Sequence, residues 1–336
     1  MIWGETVITK TLQYRTFDEF FSDILPNGNW GDHLHEHYKY IFRGVPSKKY
    51  ALVPSALREF NKSAMDMDHH NLAAEQVRAE YAILRQFYTL SNENGLKIPV
   101  SESFRKNYLN IYPTDFAWQQ SKYKWLTDEF VDIAALAQHY GVLTRLLDWT
   151  SDILTAMYFA SCNVMYNWAK KSYDSDDFMV IWALNTSLLS SPDIFSQPMP
   201  LKIVVPPYHD NPNLNAQKGA LTYWEIELPP RAEEDANRLS ADTKYLVDRR
   251  PLDELLNSSC IREKVNDDMP VLVKFEIPVV EAYSMYYTVM VFGHTAAKLF
   301  PGYDGVVKLM EEDELSKAFQ HYVVPDRIVR NMDLTK

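Results

Sequence analysis

Residues 136–160 read LAQHYGVLTRLLDWTSDILTAMYFA, and the rest of the chain is organised around this stretch. The apolar spacing before it predicts a helix that ends at Gly141. Residues 143–149 are typical of a short, largely buried strand, and Thr150 or Ser151 is expected to cap the helix that follows. Polar side chains thus collect where a strand ends and a helix begins, a place where backbone N–H groups favour an anion such as phosphate.

Composition bounds the class of protein. The chain has 336 residues, is 46% hydrophobic and carries a net charge of −11, so it should fold around a full core and should not coat DNA or RNA non-specifically. A local basic pocket for a small anion remains compatible with this balance. Two cysteines are too few for a disulfide scaffold or a structural zinc site, and Cys162 is expected in the core. We see no signal peptide and no membrane span, and we expect a cytoplasmic protein.

The order of elements predicts an α+β fold with a mixed or antiparallel central sheet, flanking helices and a largely helical segment at about residues 60–140. Buried strands are indicated at 178–184 and 271–277. Strands and helices do not alternate as they do in a doubly wound parallel sheet. The sequence contains neither a glycine-rich dinucleotide fingerprint nor a phosphate-binding P-loop.

Two histidine-rich segments raise the question of a metal. His33, His35 and His37 would share one face if residues 32–37 formed a strand, and Asp66, Asp68, His69 and His70 follow later. A solvated loop or edge strand accounts for the first cluster, and the polar start of a helix accounts for the second. Because no further ligand is indicated near either one, we expect no metal.

Two further places carry charged side chains at strand positions. Arg43 ends an aromatic strand and precedes Gly44, so its guanidinium is aimed either into a cleft or outward at the surface. Glu225 and Glu227 are predicted to share one face of a single strand over residues 220–228.

Four motifs together resemble the FRG domain family, a bacterial and phage module named for its Phe-Arg-Gly motif. They are FRG at 42–44, the stretch 138–160, AQKG at 216–219 and FPGYDG at 300–305. The resemblance implies a domain over 38–310 with a helical segment at 65–140, an N-terminal extension at 1–37, and a C-terminal helix and tail at 311–336.

The order of these motifs also resembles, more distantly, the ADP-ribosyltransferases of the Arg-Ser-Glu type, and implies a fold of that kind and NAD as cofactor. The catalytic Glu of that pattern is absent at Gly219. In this comparison Arg43 would hold a diphosphate or ribose, and Trp149 or Tyr140 would stack on a ring. His139 would act as general base. The carboxylate of Asp148, Glu225 or Glu227 would stabilise an oxocarbenium-like transition state. The remaining expected ligand contacts are Gly44, Thr144, Arg145, Thr150, Gln217 and Gly219.

Each role has a competing interpretation. Asp148 could form an ion pair with Arg43 or Arg145 that holds the fold, and His139 could make a structural hydrogen bond. For the whole protein, one hypothesis is an NAD-using effector in bacterial or phage conflict, such as a toxin or a phage-defence enzyme. A second is a non-catalytic module that senses a nucleotide or a phage protein. A third is a metal hydrolase that uses the His and Asp clusters.

Overall fold

The computed structural model describes residues 8–34, 39–58, 72–99, 102, 105, 123–189, 199–206, 211–230, 246–258 and 270–323. Within these ranges the predicted α+β class and the mixed central sheet are confirmed. The main sheet has seven strands, and a separate pair of strands forms a small second sheet.

The strands in chain order are β1 (Thr9–Gln13), β2 (Tyr40–Val45), β3 (Tyr123–Trp125), β4 (Leu147–Thr150), β5 (Phe178–Asn185), β6 (Leu201–Val204), β7 (Gly219–Trp224), β8 (Ile226–Leu228) and β9 (Leu272–Pro278). The main sheet has the order β1-β9-β5-β2-β4-β7-β6. Its β1–β9 pair is parallel and its other pairs are antiparallel. Strands β3 and β8 form the antiparallel second sheet.

The helices in chain order are α1 (Phe17–Ile24), α2 (Gly31–Leu34), α3 (Ala73–Glu93), α4 (Asp128–His139), α5 (Ile153–Ala169), α6 (Thr186–Leu189), α7 (Pro212–Ala216), α8 (Leu252–Asn257), α9 (Ala282–Val291), α10 (Ala296–Leu299) and α11 (Tyr303–Val323). At the first helix the Glu19 N–H donates to the hydroxyl of the N-cap residue Thr16 at 3.2 Å, and the Glu19 carboxylate accepts from the Arg15 N–H at 2.9 Å. The helical content predicted at about 60–140 includes α3 and α4.

Helix α5 lies against one face of the sheet and is the centre of the largest core cluster. It packs on β2 and on α9, and its Ala156, Met157, Tyr158 and Ala160 are fully buried. Cys162 is buried on the same helix, which confirms that prediction. The opposite face of the sheet is covered by a second cluster that includes Trp149, Trp182 and the helix α8.

Helices α3 and α4 pack on each other and on the small sheet, and form a third cluster beside β7. Trp125, Ile133 and Ala137 are its most buried members. This cluster positions the last turn of α4, and with it the start of the organising stretch, next to Asp148 in β4.

The predicted domain limits would separate elements that are paired or continuous in the structure. Strand β1, from the expected N-terminal extension, pairs with β9 in the main sheet. Helix α11 begins at Tyr303, before the expected boundary at 310. No helix in the described ranges has the length and apolar character needed to cross a membrane.

Candidate functional site

Arg43 joins the two central strands of the main sheet. Strands β2 and β4 pair at one position, Phe42 with Thr150. Beyond it the Arg43 guanidinium donates a hydrogen bond at 2.6 Å to the Asp148 carbonyl oxygen and lies 3.7 Å from the Asp148 carboxylate. Burial lowers the pKa of this guanidinium, and the Asp148 carboxylate opposes that shift. An Arg stays charged in either case, so a mostly buried cation fixes the backbone and side chain of Asp148.

Gly44 allows the α5 helix to approach this strand closely. A Cβ at Gly44 would lie 1.8 Å from the Ala156 carbonyl oxygen and 3.0 Å from the Ala160 nitrogen. The small residues at 156 and 160 lie one turn apart and face the glycine. The motif thus brings Phe42 into the core, Arg43 to Asp148 and Gly44 to the backbone of α5.

Asp148 is held from its other side by the last turn of α4. Gln138 donates from Nε2 to the Asp148 carboxylate, and its own amide oxygen accepts from the Thr144 hydroxyl. The Leu146 N–H then donates to the Thr144 hydroxyl at 3.3 Å. Despite these contacts the Asp148 side chain is 67% exposed, so a fixed carboxylate faces open space.

A cleft of about 600 Å³ opens beside this carboxylate. Its polar rim includes side chains from the segment after α3, from the last turns of α4, from β4 and from the α7 region, namely Lys97, Asp132, His139, Tyr140, Asp148, Asn211 and Gln217. Its apolar wall includes Phe87, Leu214 and Leu221. The Tyr140 ring is largely exposed and stands edge-on to His139 at 5.1 Å between ring centroids.

The third motif meets the second through Gln217, which also contacts the residue just before the fourth motif. Thr150 donates from its hydroxyl to the Gln217 carbonyl oxygen at 2.6 Å. Gln217 donates from its side-chain amide to the Leu299 carbonyl oxygen at 3.0 Å. Nearby, a Cβ at Gly219 would lie 2.3 Å from the Leu214 side chain, so that glycine keeps α7 against β7. Hydrogen bonds thus connect the first three motifs around the cleft and reach the residue that precedes the fourth.

The predicted cap of α5 is wrong, because Asp152 is the N-cap residue. Its carboxylate accepts from the Leu154 N–H at 3.0 Å, from Lys218 Nζ at 2.7 Å and from His294 Nε2 at 3.1 Å. Burial raises the pKa of Asp152, but the bonds from His294 and Lys218 outweigh it and hold this pKa well below its usual range. The helix N-terminus, where a phosphate was expected, therefore already binds a carboxylate.

Arg145 and Trp149 lie in the interior. Arg145 is almost fully buried and donates to both carboxylate oxygens of Glu80, at 2.6 and 2.9 Å. Trp149 is buried in the core on the opposite face of the sheet and donates from its indole to the Thr222 hydroxyl at 2.8 Å. Side chains alternate between the two faces of the sheet along β4. Leu147 and Trp149 therefore point into the core on one face, and Asp148 points to the other face.

The single strand predicted over residues 220–228 is wrong. The chain leaves the main sheet after Trp224 and enters the small sheet at Ile226, so Glu225 lies at a break. Glu225 binds Lys124 at 3.0 Å. Both glutamates line a separate cavity of about 340 Å³ with Arg145 and Trp224. They do not line the cleft beside Asp148.

The structure therefore brings together Arg43, His139, Tyr140, Asp148 and Gln217, with Thr144 buried behind them. Gln138 was not among the site residues predicted from the sequence. Its signal was its position at the start of the organising stretch, next to His139 on the last turn of α4. In the described residues, no group of three His, Cys, Asp or Glu side chains could hold a metal. His33 lies in α2, while His35, His37, His69 and His70 fall outside the described ranges.

Comparison with known proteins gives one match. The family model of the FRG domain matches residues 38–167, a range that contains Arg43, Gln138, Asp148 and the whole organising stretch. No curated protein and no solved structure matches the chain. The first two motifs lie inside the matched range and the last two beyond it. This protein therefore contains an FRG domain.

Proposed function

We propose that the cleft beside Asp148 binds a nucleotide-like small molecule. The observation that carries the proposal is an exposed carboxylate held rigidly by Arg43 and Gln138 at the edge of a cleft with an open aromatic ring. Carboxylates bind ribose hydroxyls in nucleotide sites, and exposed aromatic rings stack on bases. A volume of about 600 Å³ suits such a ligand, since small-molecule sites occupy about 300–1,000 Å³.

The geometry suggests an arrangement for the ligand. A base stacks on Tyr140, the ribose hydroxyls bind Asp148, and the apolar wall at Leu214 and Leu221 excludes water from the ring. Lys97 and His139 also line the cleft and would supply positive groups for a phosphate. In this arrangement Arg43 positions Asp148 and does not itself bind the phosphates.

NAD is the candidate ligand, and ADP-ribosyl transfer is the reaction that would use it. The bond between the nicotinamide nitrogen and ribose C1′ would break, nicotinamide would leave with the electron pair, and a nucleophile on the target would attack C1′. Asp148 is the member of the predicted catalytic carboxylates that lines the cleft, so it would stabilise the cationic ribose. His139 would accept the proton of the nucleophile.

A second candidate is a binding module without turnover, one that senses a nucleotide or a phage protein in a defence system. The specific observation in its favour is that Glu225 and Glu227 line a different cavity, so the cleft lacks that Glu-x-Glu element. The rigid attachment of Asp148 suits recognition equally well. In either role we propose that the protein acts in a bacterial cytoplasm, where a buried free thiol such as Cys162 stays reduced.

The two candidates are separated by incubating the purified protein with labelled NAD and a bacterial lysate. Released nicotinamide and labelled macromolecules, both lost in Asp148→Asn and Tyr140→Ala, support the transferase. NAD-dependent thermal stabilisation without turnover supports the sensor. Asp176→Asn and Tyr50→Ala are matched controls, since both side chains are exposed and lie outside the cleft. If neither NAD nor any other nucleotide stabilises the wild type, the proposal fails.

A further inference from the structure

Helix α11 has two apolar faces. Its inner face packs on the core through Phe319, which is fully buried, and through Gly305 and Glu312. Its outer face carries Tyr303, Val306, Val307 and Met310, which are 48% to 91% exposed. These four residues follow the i, i+3, i+4, i+7 spacing of one helical side, and we call them the outer stripe.

The outer stripe points directly away from the core. Successive residues turn by about 100° around a helix, which places the stripe opposite Gly305 and Glu312. A helix on the surface of a globular protein usually carries polar residues on that side. Among the described residues, half of the exposed large hydrophobic side chains lie between Tyr287 and Tyr322, so the stripe belongs to a concentration of such side chains and is not a scattered occurrence.

Acidic side chains border the stripe. Asp304 and Glu311 are exposed along one edge, and Glu314 is exposed one turn beyond Met310. Of the two lysines of this helix, Lys308 lies over the Phe300 ring at 3.9 Å from its centroid, and Lys317 binds Asp313 at 2.6 Å and lies near Glu314. The stripe is therefore an apolar strip with a negative border.

The negative border favours one kind of binding partner over the others. In an antiparallel two-fold pair of these helices the same edges would meet, so Asp304 of one copy would lie opposite Glu311 of the other and the two would repel. An anionic lipid surface would be repelled as well. An amphipathic helix that carries Lys or Arg beside its own apolar stripe would satisfy both the apolar strip and the negative border.

The helix is also held rigidly from inside. The Glu312 carboxylate accepts from the Tyr158 hydroxyl at 2.6 Å and from the Tyr286 hydroxyl at 3.2 Å, deep in the core. Because α11 is fixed before a partner arrives, little conformational entropy is lost on its side when a partner binds.

We propose that the outer stripe of α11 is a docking surface for a basic amphipathic helix of another protein. This surface consists of Tyr303, Val306, Val307 and Met310 with the acidic border of Asp304, Glu311 and Glu314. It is separate from the cleft beside Asp148 and does not depend on what that cleft binds.

The test uses the full-length protein and a fluorescent helical peptide of about 18 residues built from Leu and Lys, with a Leu and Glu peptide of the same pattern for comparison. Fluorescence anisotropy should show saturable binding of the basic peptide and little binding of the acidic one. Val307→Asp should weaken the binding of the basic peptide by about tenfold or more. Val205→Asp is the matched control, since Val205 is 59% exposed and Val307 is 54% exposed.

A second variant separates docking from folding. Glu311→Lys keeps the apolar stripe and should still weaken the binding of the basic peptide by about threefold or more. The circular dichroism spectrum of this variant should be unchanged. Equal binding of both peptides, or wild-type affinity in Val307→Asp, would overturn the proposal. So would a dimer in sedimentation that Val307→Asp dissociates, or binding to phosphatidylserine vesicles that this substitution abolishes.

Discussion

Arg43 donates a hydrogen bond from its guanidinium to the Asp148 carbonyl oxygen at 2.6 Å, and thereby joins two strands that pair at a single position. The same cation lies 3.7 Å from the Asp148 carboxylate. One side chain thus fixes both the path of β4 and the direction of the carboxylate that it presents. The contact therefore contributes both to the pairing of the strands and to the proposed ligand site.

Replacing Arg43 by Ala should affect both stability and ligand binding. The Asp148 carbonyl loses its charged donor, so the free energy of unfolding should fall by about 1–3 kcal/mol. Nucleotide affinity of the folded protein should fall by about tenfold or more, because Asp148 is no longer held. Denaturant unfolding and calorimetry measure the two effects. Arg15→Ala, at an exposed position outside the sheet, is the control. An Arg43→Ala protein with wild-type affinity would show that Asp148 needs no anchor.

Gly44→Ala should be more damaging than its size suggests. The added methyl would lie 1.8 Å from the Ala156 carbonyl oxygen, so α5 must move off the sheet. We expect a loss of about 3 kcal/mol or more in unfolding free energy, at the upper end of overpacking effects. Gly95→Ala is a useful comparison, since that site is open but has a φ of +67° and should cost about 1–2 kcal/mol. If the two variants unfold at equal denaturant concentration, close approach is not the reason for glycine at 44.

The Arg145–Glu80 pair should stabilise the fold and leave ligand contacts unaffected. Glu80→Ala leaves a buried guanidinium without its carboxylate, which typically costs about 3–5 kcal/mol. Lys317→Ala, which breaks an exposed pair with Asp313, should leave the free energy of unfolding almost unchanged. Nucleotide affinity, corrected for the folded fraction, should be the same in all three proteins. A selective loss of affinity in Glu80→Ala would instead assign Arg145 to the ligand.

Asp152 should make the protein sensitive to acid. The bonds from His294 and Lys218 hold its folded pKa below that of an unfolded Asp, which is about 3.9. The resulting stabilisation is fully present above the unfolded pKa and is lost as the pH falls below it, because the unfolded chain then binds the proton more readily. The difference in unfolding free energy between wild type and Asp152→Asn should therefore shrink as the pH falls from about 5 toward about 3. A difference that grows over this range would contradict the assignment.

The sequence was informative about Asp148 because the motifs are local and polar. Residues within one short stretch cannot lie far apart, so the convergence of Gln138, Thr144 and Asp148 follows from chain connectivity. An ion pair with Arg43, 105 positions away, was one of the interpretations left open for Asp148, and this contact is present in the structure. Periodicity also indicated the class of fold, since buried strands and amphipathic helices have different repeats.

Other features were predicted wrongly from the sequence, because they depend on the face of the sheet that a side chain occupies or on residues distant along the chain. Trp149 was expected to stack on a ligand, yet it follows Leu147 into the opposite core because strand residues alternate. The break at Glu225 arises from the competing pairing of β8 with β3, whose 101-residue separation leaves no local signal. The N-cap residue of α5 is Asp152, and not Thr150 or Ser151 as predicted. Lys218 and His294, both distant in sequence, bind its carboxylate.

The most direct test of the central claim is calorimetric titration of NAD, ADP-ribose and ATP into the wild type, Asp148→Ala and Tyr140→Ala. The wild type should bind at least one of them at a single saturable site. Both variants should stay folded, since these side chains are largely exposed, and should bind about tenfold or more weakly. No saturable binding of any of the three by the wild type, or undiminished binding by both variants, would contradict the assignment of the cleft.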